Sequence, residues 1–179
     1  MNSKNITEMK QKRTRKQWIL FLAGFTAIVT GCSMMLFYGG KKLYRMHQKQ
    51  ILMRENPVVE IADLNIKAPV LEGTDQQTIA KAVGHFTGTG DFGSGNYCIA
   101  GHSSTIYKEY FNNLKSIENG MTITLYDTQK NRYDYTVSDS FIVEPDETWV
   151  LDDTGDDRIT LITYTDDGAQ RLVVTGICE

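Results

Sequence analysis

Cysteine is scarce in this 179-residue chain, and its three copies, Cys32, Cys98 and Cys178, form no CxxC pair and no Cys/His cluster. That excludes a zinc finger or ribbon. Because Cys32 lies inside an apolar run, only Cys98 and Cys178 remain to pair, and a disulfide framework is excluded as the organising device. Proline occurs only at Pro57, Pro69 and Pro145, and no low-complexity tract or internal repeat is present, which excludes solenoids and Pro-rich spacers. The glycine-dense stretch from Thr87 to Asn96 contains no lysine and leads into no long helix, so it is a tight connecting loop and not a phosphate cradle. Basic residues are thin beyond residue 55, where eight Lys/Arg face twenty Asp/Glu for a net charge of −12. Such a surface excludes nucleic-acid binding as a role.

Residues 1–55 have the opposite balance, eleven Lys/Arg against two Asp/Glu, or +9. Within them, Trp18 to Tyr38 is a run of twenty-one residues without a charge. At about 1.5 Å per residue it reaches across a hydrocarbon core of roughly 30 Å. Lys4, Lys10, Lys12, Arg13, Arg15 and Lys16 precede the run and no cleavage site closes it, as expected of an uncleaved signal anchor with a cytoplasmic amino terminus. Lys41, Lys42, Arg45 and Lys49 follow it and weaken the charge bias. Val29-Thr30-Gly31-Cys32 has the form of a lipobox, but Ser33 to Tyr38 continues the apolar run, which favours a small residue within a spanning helix over a lipidated terminus. The expected organisation is a basic cytoplasmic tail over 1–17, a transmembrane anchor over 18–40, a basic helical stalk over 41–56 ended by Pro57, and a globular domain over 57–179.

The globular part alternates like a β protein. Val58 to Ile61 and Leu64 to Gly73 read as two strands, and Thr74 with Gln77 has capping-box spacing for a helix from Asp75 to about Val83. Tyr97 to Gly101 is a strand that delivers His102, after which Tyr107, Tyr110, Phe111 and Leu114 mark one face of a short helix. Met121–Tyr126 and Tyr133–Val137 form a hairpin, and Phe141–Val143 adds another strand. Last comes Thr160-Leu161-Ile162-Thr163-Tyr164, an Asp166-Asp167-Gly168 turn, and Arg171 to Gly176: a hairpin whose first strand is apolar or β-branched on both faces and therefore central. Seven or eight short strands predict a closed or nearly closed β-barrel with short helices. Between Pro145 and Arg158 runs an acidic connection, read as solvated charge, with calcium binding as the alternative.

Pro69-Val70-Leu71-Glu72-Gly73-Thr74, Gly84-His85-Phe86, Asn96 through His102, Phe111-Asn112-Asn113-Leu114, Gly120, Glu144-Pro145, Thr160-Leu161-Ile162-Thr163 and Arg171 through Gly176 resemble, in order, the sortase family of Gram-positive cell-surface transpeptidases. The resemblance implies an eight-stranded sortase barrel outside the plasma membrane. It implies a groove for an LPxTG-like sorting signal, and an amine acceptor on a cell-wall precursor or a pilin subunit. It implies no cofactor other than the calcium that some members of the family bind near the acidic connection. His102 matches the family's catalytic histidine and Arg171 its arginine, while His85 falls in a structural segment. An ion pair with the acidic connection is the other reading of Arg171.

The family's nucleophilic cysteine falls on position 164, where this chain has tyrosine. A phenol, with an ordinary pKa of about 10, is ionised to roughly one part in a thousand at neutral pH. Its ring also fills the space where a scissile carbonyl would sit. Neither remaining cysteine substitutes: Cys178 lies about 23 Å along an extended strand from Arg171, and Cys98 reads as a buried small hydrophobe. Three readings follow. The chain is a non-catalytic sortase-like module that holds sorting-signal peptides or a partner protein, a sortase inactivated by a one-base change of a Cys codon to Tyr, or an enzyme using Tyr164 itself.

Overall fold

The computed structural model describes residues 3–103 and 110–178, which divide into two compact units, Met1–Gln48 and Lys49–Glu179. Helix α1 spans Ser3–Glu55. Its segment from Arg15 onward is long and apolar enough to cross a membrane, and Trp18, Phe21, Phe25 and Ile28 are exposed along it. It ends where expected: the backbone N–H and the side-chain amide of Asn56 both donate to the Leu52 carbonyl, at 3.1 Å each, and Pro57 stops the ladder.

Eight strands follow: β1 (Val58–Ile61), β2 (Ile66–Glu72), β3 (Val83–His85), β4 (Asn96–Ala100), β5 (Thr122–Tyr126), β6 (Arg132–Val143), β7 (Arg158–Tyr164) and β8 (Arg171–Cys178). They close into a barrel in the order β1-β2-β3-β4-β7-β8-β6-β5, with β2/β3 and β4/β7 parallel and the other pairs antiparallel. The predicted barrel is therefore present. Alternation turns Val59, Ile61, Ile99, Ile123, Leu125, Tyr135, Ile159, Leu161 and Val174 into the interior, all fully buried. The opposite face of β7 is also covered. Ile162 packs with Val143, Val150 and Val173 in a second cluster beneath the β6–β7 connection, completed by Phe86, Phe141 and Leu151. This two-sided burial is why the strand lacks a polar face.

Three local expectations are corrected. The helix predicted from Asp75 to Val83 is one turn, α2 (Gln76–Ile79), and its cap is Asp75 rather than Thr74: the Asp75 carboxylate accepts from the N–H groups of Gln77 and Thr78 and from the Thr78 hydroxyl. Val83 instead opens β3. The strands predicted at Tyr133–Val137 and Phe141–Val143 are one strand, β6, bent by a bulge between Val137 and Asp139. Of the predicted helical face after His102, Tyr107 lies outside the described residues; from Leu114 to Ser116 the chain is a 3-10 turn.

Gly84 shows how closely the backbones approach. A Cβ there would lie 2.2 Å from the Gly73 carbonyl oxygen, which cannot rotate away. Gly84→Ala is expected to destabilise the barrel by about 3 kcal/mol, the upper end of overpacking costs. The melting temperature then falls by about 10–15 °C, measurable by circular dichroism. A melt within 2 °C of the parent would show that β2 and β3 are not packed this tightly.

Candidate functional site

The site grows out of the hydrogen bonding of β7. This strand runs parallel to β4 through the pair Ala100↔Ile162, and the contact continues after β4 ends: the Gly101 N–H donates to the Ile162 carbonyl at 3.0 Å, and the Thr163 hydroxyl to the Gly101 carbonyl at 2.7 Å. One residue on, the Ser103 hydroxyl donates to the Tyr164 carbonyl at 2.9 Å. His102 is thereby fixed between two residues stitched to β7. Only glycine serves at position 101, because a Cβ would meet the Phe111 ring at 2.6 Å and Val83 at 2.9 Å.

On the other side of β7, strand β8 pairs Tyr164 with Arg171 in register across the hairpin. The Arg171 guanidinium carbon lies 3.9 Å from the centroid of the Tyr164 ring, a cation–π contact. The His102 ring is nearly parallel to the same ring, at 24° and 6.3 Å between centroids. The three residues singled out from the sequence, His102, Tyr164 and Arg171, thus come together from three neighbouring strand ends. Tyr164 is 43% exposed, unusual for a large aromatic on an otherwise buried strand. The ion-pair reading of Arg171 has no counterpart here: among the described residues its guanidinium makes no salt bridge, and it donates to the Gln170 carbonyl at 3.2 Å.

A groove of about 230 Å³ runs past the trio, lined by Thr74, Ile79, Phe86, Ala100, Gly101 and Ile162. A second pocket of about 280 Å³ shares Thr163 and Tyr164 with it. Behind Phe86 and Ile162 in the groove lining packs the β6–β7 connection, through Val150 and Leu151, and Asn96 is one of the side chains that hold it down. The buried amide of Asn96 donates to the Val150 and Asp152 carbonyls, at 3.0 and 2.9 Å, and accepts from the Thr160 hydroxyl at 2.6 Å. The sequence reading leaves Asn96 at the end of the glycine-dense loop, whereas it opens β4; a polar residue directly before an apolar strand was the available signal.

His85 stands apart from the trio. Its Nδ1 meets the Glu72 carboxylate at 2.9 Å, its Nε2 the Thr89 hydroxyl at 3.1 Å, and its ring stacks on Tyr97 at 4.1 Å, a structural arrangement as expected. Bonds from Thr87 and His85 hold the Glu72 carboxyl below the usual range.

Cys98 is fully buried, its sulfur against the Asn96 and Val150 carbonyls, and burial pushes the thiol up to about 11. Cys178 lies at the opposite end of β8 from Arg171. We expect Cys98 to resist iodoacetamide at pH 8 in the folded protein and to react fully in denaturant, as read by mass spectrometry. Rapid labelling at Cys98 in the native chain, as distinct from the more accessible Cys32 and Cys178, would make it a reactive thiol after all.

Several carboxylates of the acidic connection are engaged by nearby backbone and side-chain donors. Glu147 accepts from the Glu144 N–H at 2.7 Å and from the Trp149 indole at 3.3 Å, and Asp157 accepts from the Gly95 N–H at 3.0 Å. Asp156 bonds Arg158 and Thr154, which hold its carboxyl down at about 2. Among the described residues no group of three or more His, Cys, Asp or Glu side chains is arranged to hold a metal, so the calcium alternative gains no support here.

Comparison with known proteins decides the family. The Sortase domain profile matches residues 59–178, from β1 to the last residue of β8. The chain belongs to the sortase family. Sortase A of Bacillus anthracis is 32% identical over 133 residues, 73% of this chain and 61% of that protein, and Sortase A of Listeria monocytogenes is 30% identical over 123 residues. The chain thus spans about three fifths of the first of these relatives and 55% of the second. Among solved structures, sortase C-1 from Actinomyces oris matches with a TM-score of 0.63 at 29% identity, covering 69% of this chain and 71% of that one. A Sortase D5 transpeptidase from Clostridium perfringens matches at 0.64 and 26% identity, covering 75% and 88%. The sortase barrel predicted from residue order is the fold of this chain.

Proposed function

We propose that this chain is a membrane-anchored sortase-type protein whose groove receives an LPxTG-like sorting signal, and that Tyr164 stands where the family's nucleophilic cysteine belongs, so that this form holds the signal without cleaving it. The observation that carries the reading is the convergence of His102 and Arg171 on Tyr164, the one position between them on β7. In the sortase reaction a thiolate at that position attacks the Thr–Gly carbonyl and forms a thioacyl enzyme. The histidine protonates the leaving amine and the arginine supports the developing oxyanion. An amine on a cell-wall precursor or a pilin then resolves the thioester.

Tyr164 supplies neither the reactivity nor the room. A phenol hydroxyl is a weaker nucleophile than a thiolate, and the ring lines both the groove and the second pocket. What remains is a groove with an apolar wall of Ile79, Phe86 and Ile162 and a cation at its end, features that suit an extended peptide with a Leu-Pro core. The α1 anchor supports placement on the plasma membrane. The basic residues before the apolar run favour a cytoplasmic amino terminus, with the barrel outside. The test sets the chain against a panel of sorting peptides, as it stands and as Tyr164→Cys. Binding without turnover in the first and turnover in the second supports the reading; no binding by either overturns it.

A further inference from the structure

A third cavity, of about 430 Å³, lies around the start of β4, at the other end of that strand from His102. Pro57, Val70, Leu71 and Phe92 give it an apolar wall, and Glu72, Asp91 and Tyr97 also line it. No lysine or arginine is among the lining residues, and the one imidazole, His85, has both ring nitrogens engaged by Glu72 and Thr89. Tyr97 is the residue the fold does not account for. It is 4% exposed, with its ring stacked on His85 and packed on Phe92, yet its hydroxyl makes no hydrogen bond among the described residues. No fully buried side-chain oxygen there lacks a partner, so the hydroxyl itself is open, and it opens on this cavity. Burial first, and then the charges of Glu72 and Asp91, hold the phenol well above its ordinary range; both carboxylates act on that hydroxyl. Asp91 uses one oxygen on the Phe92 N–H, at 2.8 Å, and its other oxygen is unbonded among the described residues.

We infer that this cavity receives the guanidinium of an arginine side chain from a protein ligand, with Asp91 and Glu72 as counter-ions, the Tyr97 hydroxyl as an acceptor, and Val70 and Leu71 against the methylenes. A guanidinium carries its donors in one plane, so it meets a phenol oxygen and carboxylates together and stacks on an aromatic face; an ammonium is a compact point charge. Phe92, between Tyr97 and Tyr133 at 5.2 and 5.7 Å, supplies such a face. The site does not rest on the sorting-signal reading, since it shares no lining residue with the groove or the second pocket.

The experiment uses the full chain in detergent micelles with labelled Ile, Leu and Val methyl groups. Nα-acetyl-arginine methylamide, its lysine and citrulline counterparts, free arginine and N-acetylglucosamine are titrated separately and followed at Val70 and Leu71. We expect saturable shifts with the arginine derivative. Citrulline, the same shape without the charge, binds at least tenfold more weakly, and lysine at least threefold. Free arginine, which brings its own carboxylate into a negative cavity, binds more weakly than the capped form. Asp91→Asn keeps an acceptor for the Phe92 N–H and weakens the arginine derivative at least tenfold. Tyr97→Phe weakens it at least threefold while melting no more than 2 °C below the parent, because the hydroxyl bonds nothing in the fold. Shifts that never saturate, another probe binding as well as the arginine derivative, indifference to Asp91→Asn, or a larger melting loss in Tyr97→Phe each overturn the assignment; tighter binding of free arginine overturns a protein as the source. A sorting peptide followed at Ile162 in the same samples separates the two readings: peptide binding without arginine binding removes only this site, and the reverse removes only the sorting-signal groove.

Discussion

Tyr164→Cys is expected to turn a chain with no detectable peptide cleavage into one that cleaves a sorting peptide at least about 10³-fold faster than the parent. A missing nucleophile removes nearly all of the chemistry that neighbouring groups would otherwise support. The backbone at this position is already set, because Tyr164 ends a seven-residue strand paired on both sides and its side chain is 43% exposed. Replacing the ring by a thiol removes bulk without opening a cavity in the core. It leaves the Arg171 cation, now without its ring contact, beside a sulfur whose ionisation it favours. In that background His102→Ala should cost about 10²–10⁴ in turnover. Arg171→Ala should cost about 10²–10³. Arg171→Lys should not restore it, since a point charge does not reproduce the planar fork. Tyr164→Phe in the parent chain should change nothing; a tyrosyl ester adduct in the parent that vanishes in Tyr164→Phe would instead make the phenol the nucleophile. If Tyr164→Cys binds peptide as the parent does but never cleaves it, position 164 is not the vacated nucleophile.

The trio was legible in the sequence to different degrees. Tyr164 and Arg171 are joined by a short turn with an Asp-Gly signal, so their pairing follows from local chemistry alone. His102 is sixty-two residues from Tyr164, and no periodicity reports a parallel pairing across that distance; its place came from the order of motifs in a resemblance. The break that the polar Ser138, Asp139 and Ser140 put into the alternation of β6 looked like a gap between strands. It is a bulge, which shifts the alternation by one within a single strand that pairs with β5 over its first part and with β8 on both sides of the bulge. The cap of α2 was misplaced by one residue because Thr74 and Asp75 are both good cap residues, and only the backbone decides between them. Lys115 and Asp166 carry no sequence signal at all, since each is an ordinary surface charge until the barrel closes and sets them 2.7 Å apart.

Asn96→Ala should cost the fold about as much as Gly84→Ala and should reach the groove as well. The amide is 3% exposed and fully used, with two donors on the Val150 and Asp152 carbonyls and its oxygen on the Thr160 hydroxyl. Truncation leaves three polar groups facing a small void under the β6–β7 connection. At about 1–3 kcal/mol for each buried group left unsatisfied, offset where water enters, the expected loss is about 3 kcal/mol. Asn96→Asp keeps the volume and the Thr160 bond but points a carboxylate oxygen at two carbonyls. It should be destabilising at pH 7 and partly recover as pH falls, because only the protonated acid can donate. That pH dependence separates lost hydrogen bonding from lost packing. The connection that Asn96 holds carries Val150 and Leu151, which pack on Ile162 and Phe86. The same variants should therefore weaken sorting-peptide binding by about tenfold or more while the fold persists, and Ile162 methyl shifts in the peptide titration would report it. Unchanged peptide affinity in a destabilised Asn96→Ala would mean that the connection stabilises the barrel without shaping its groove.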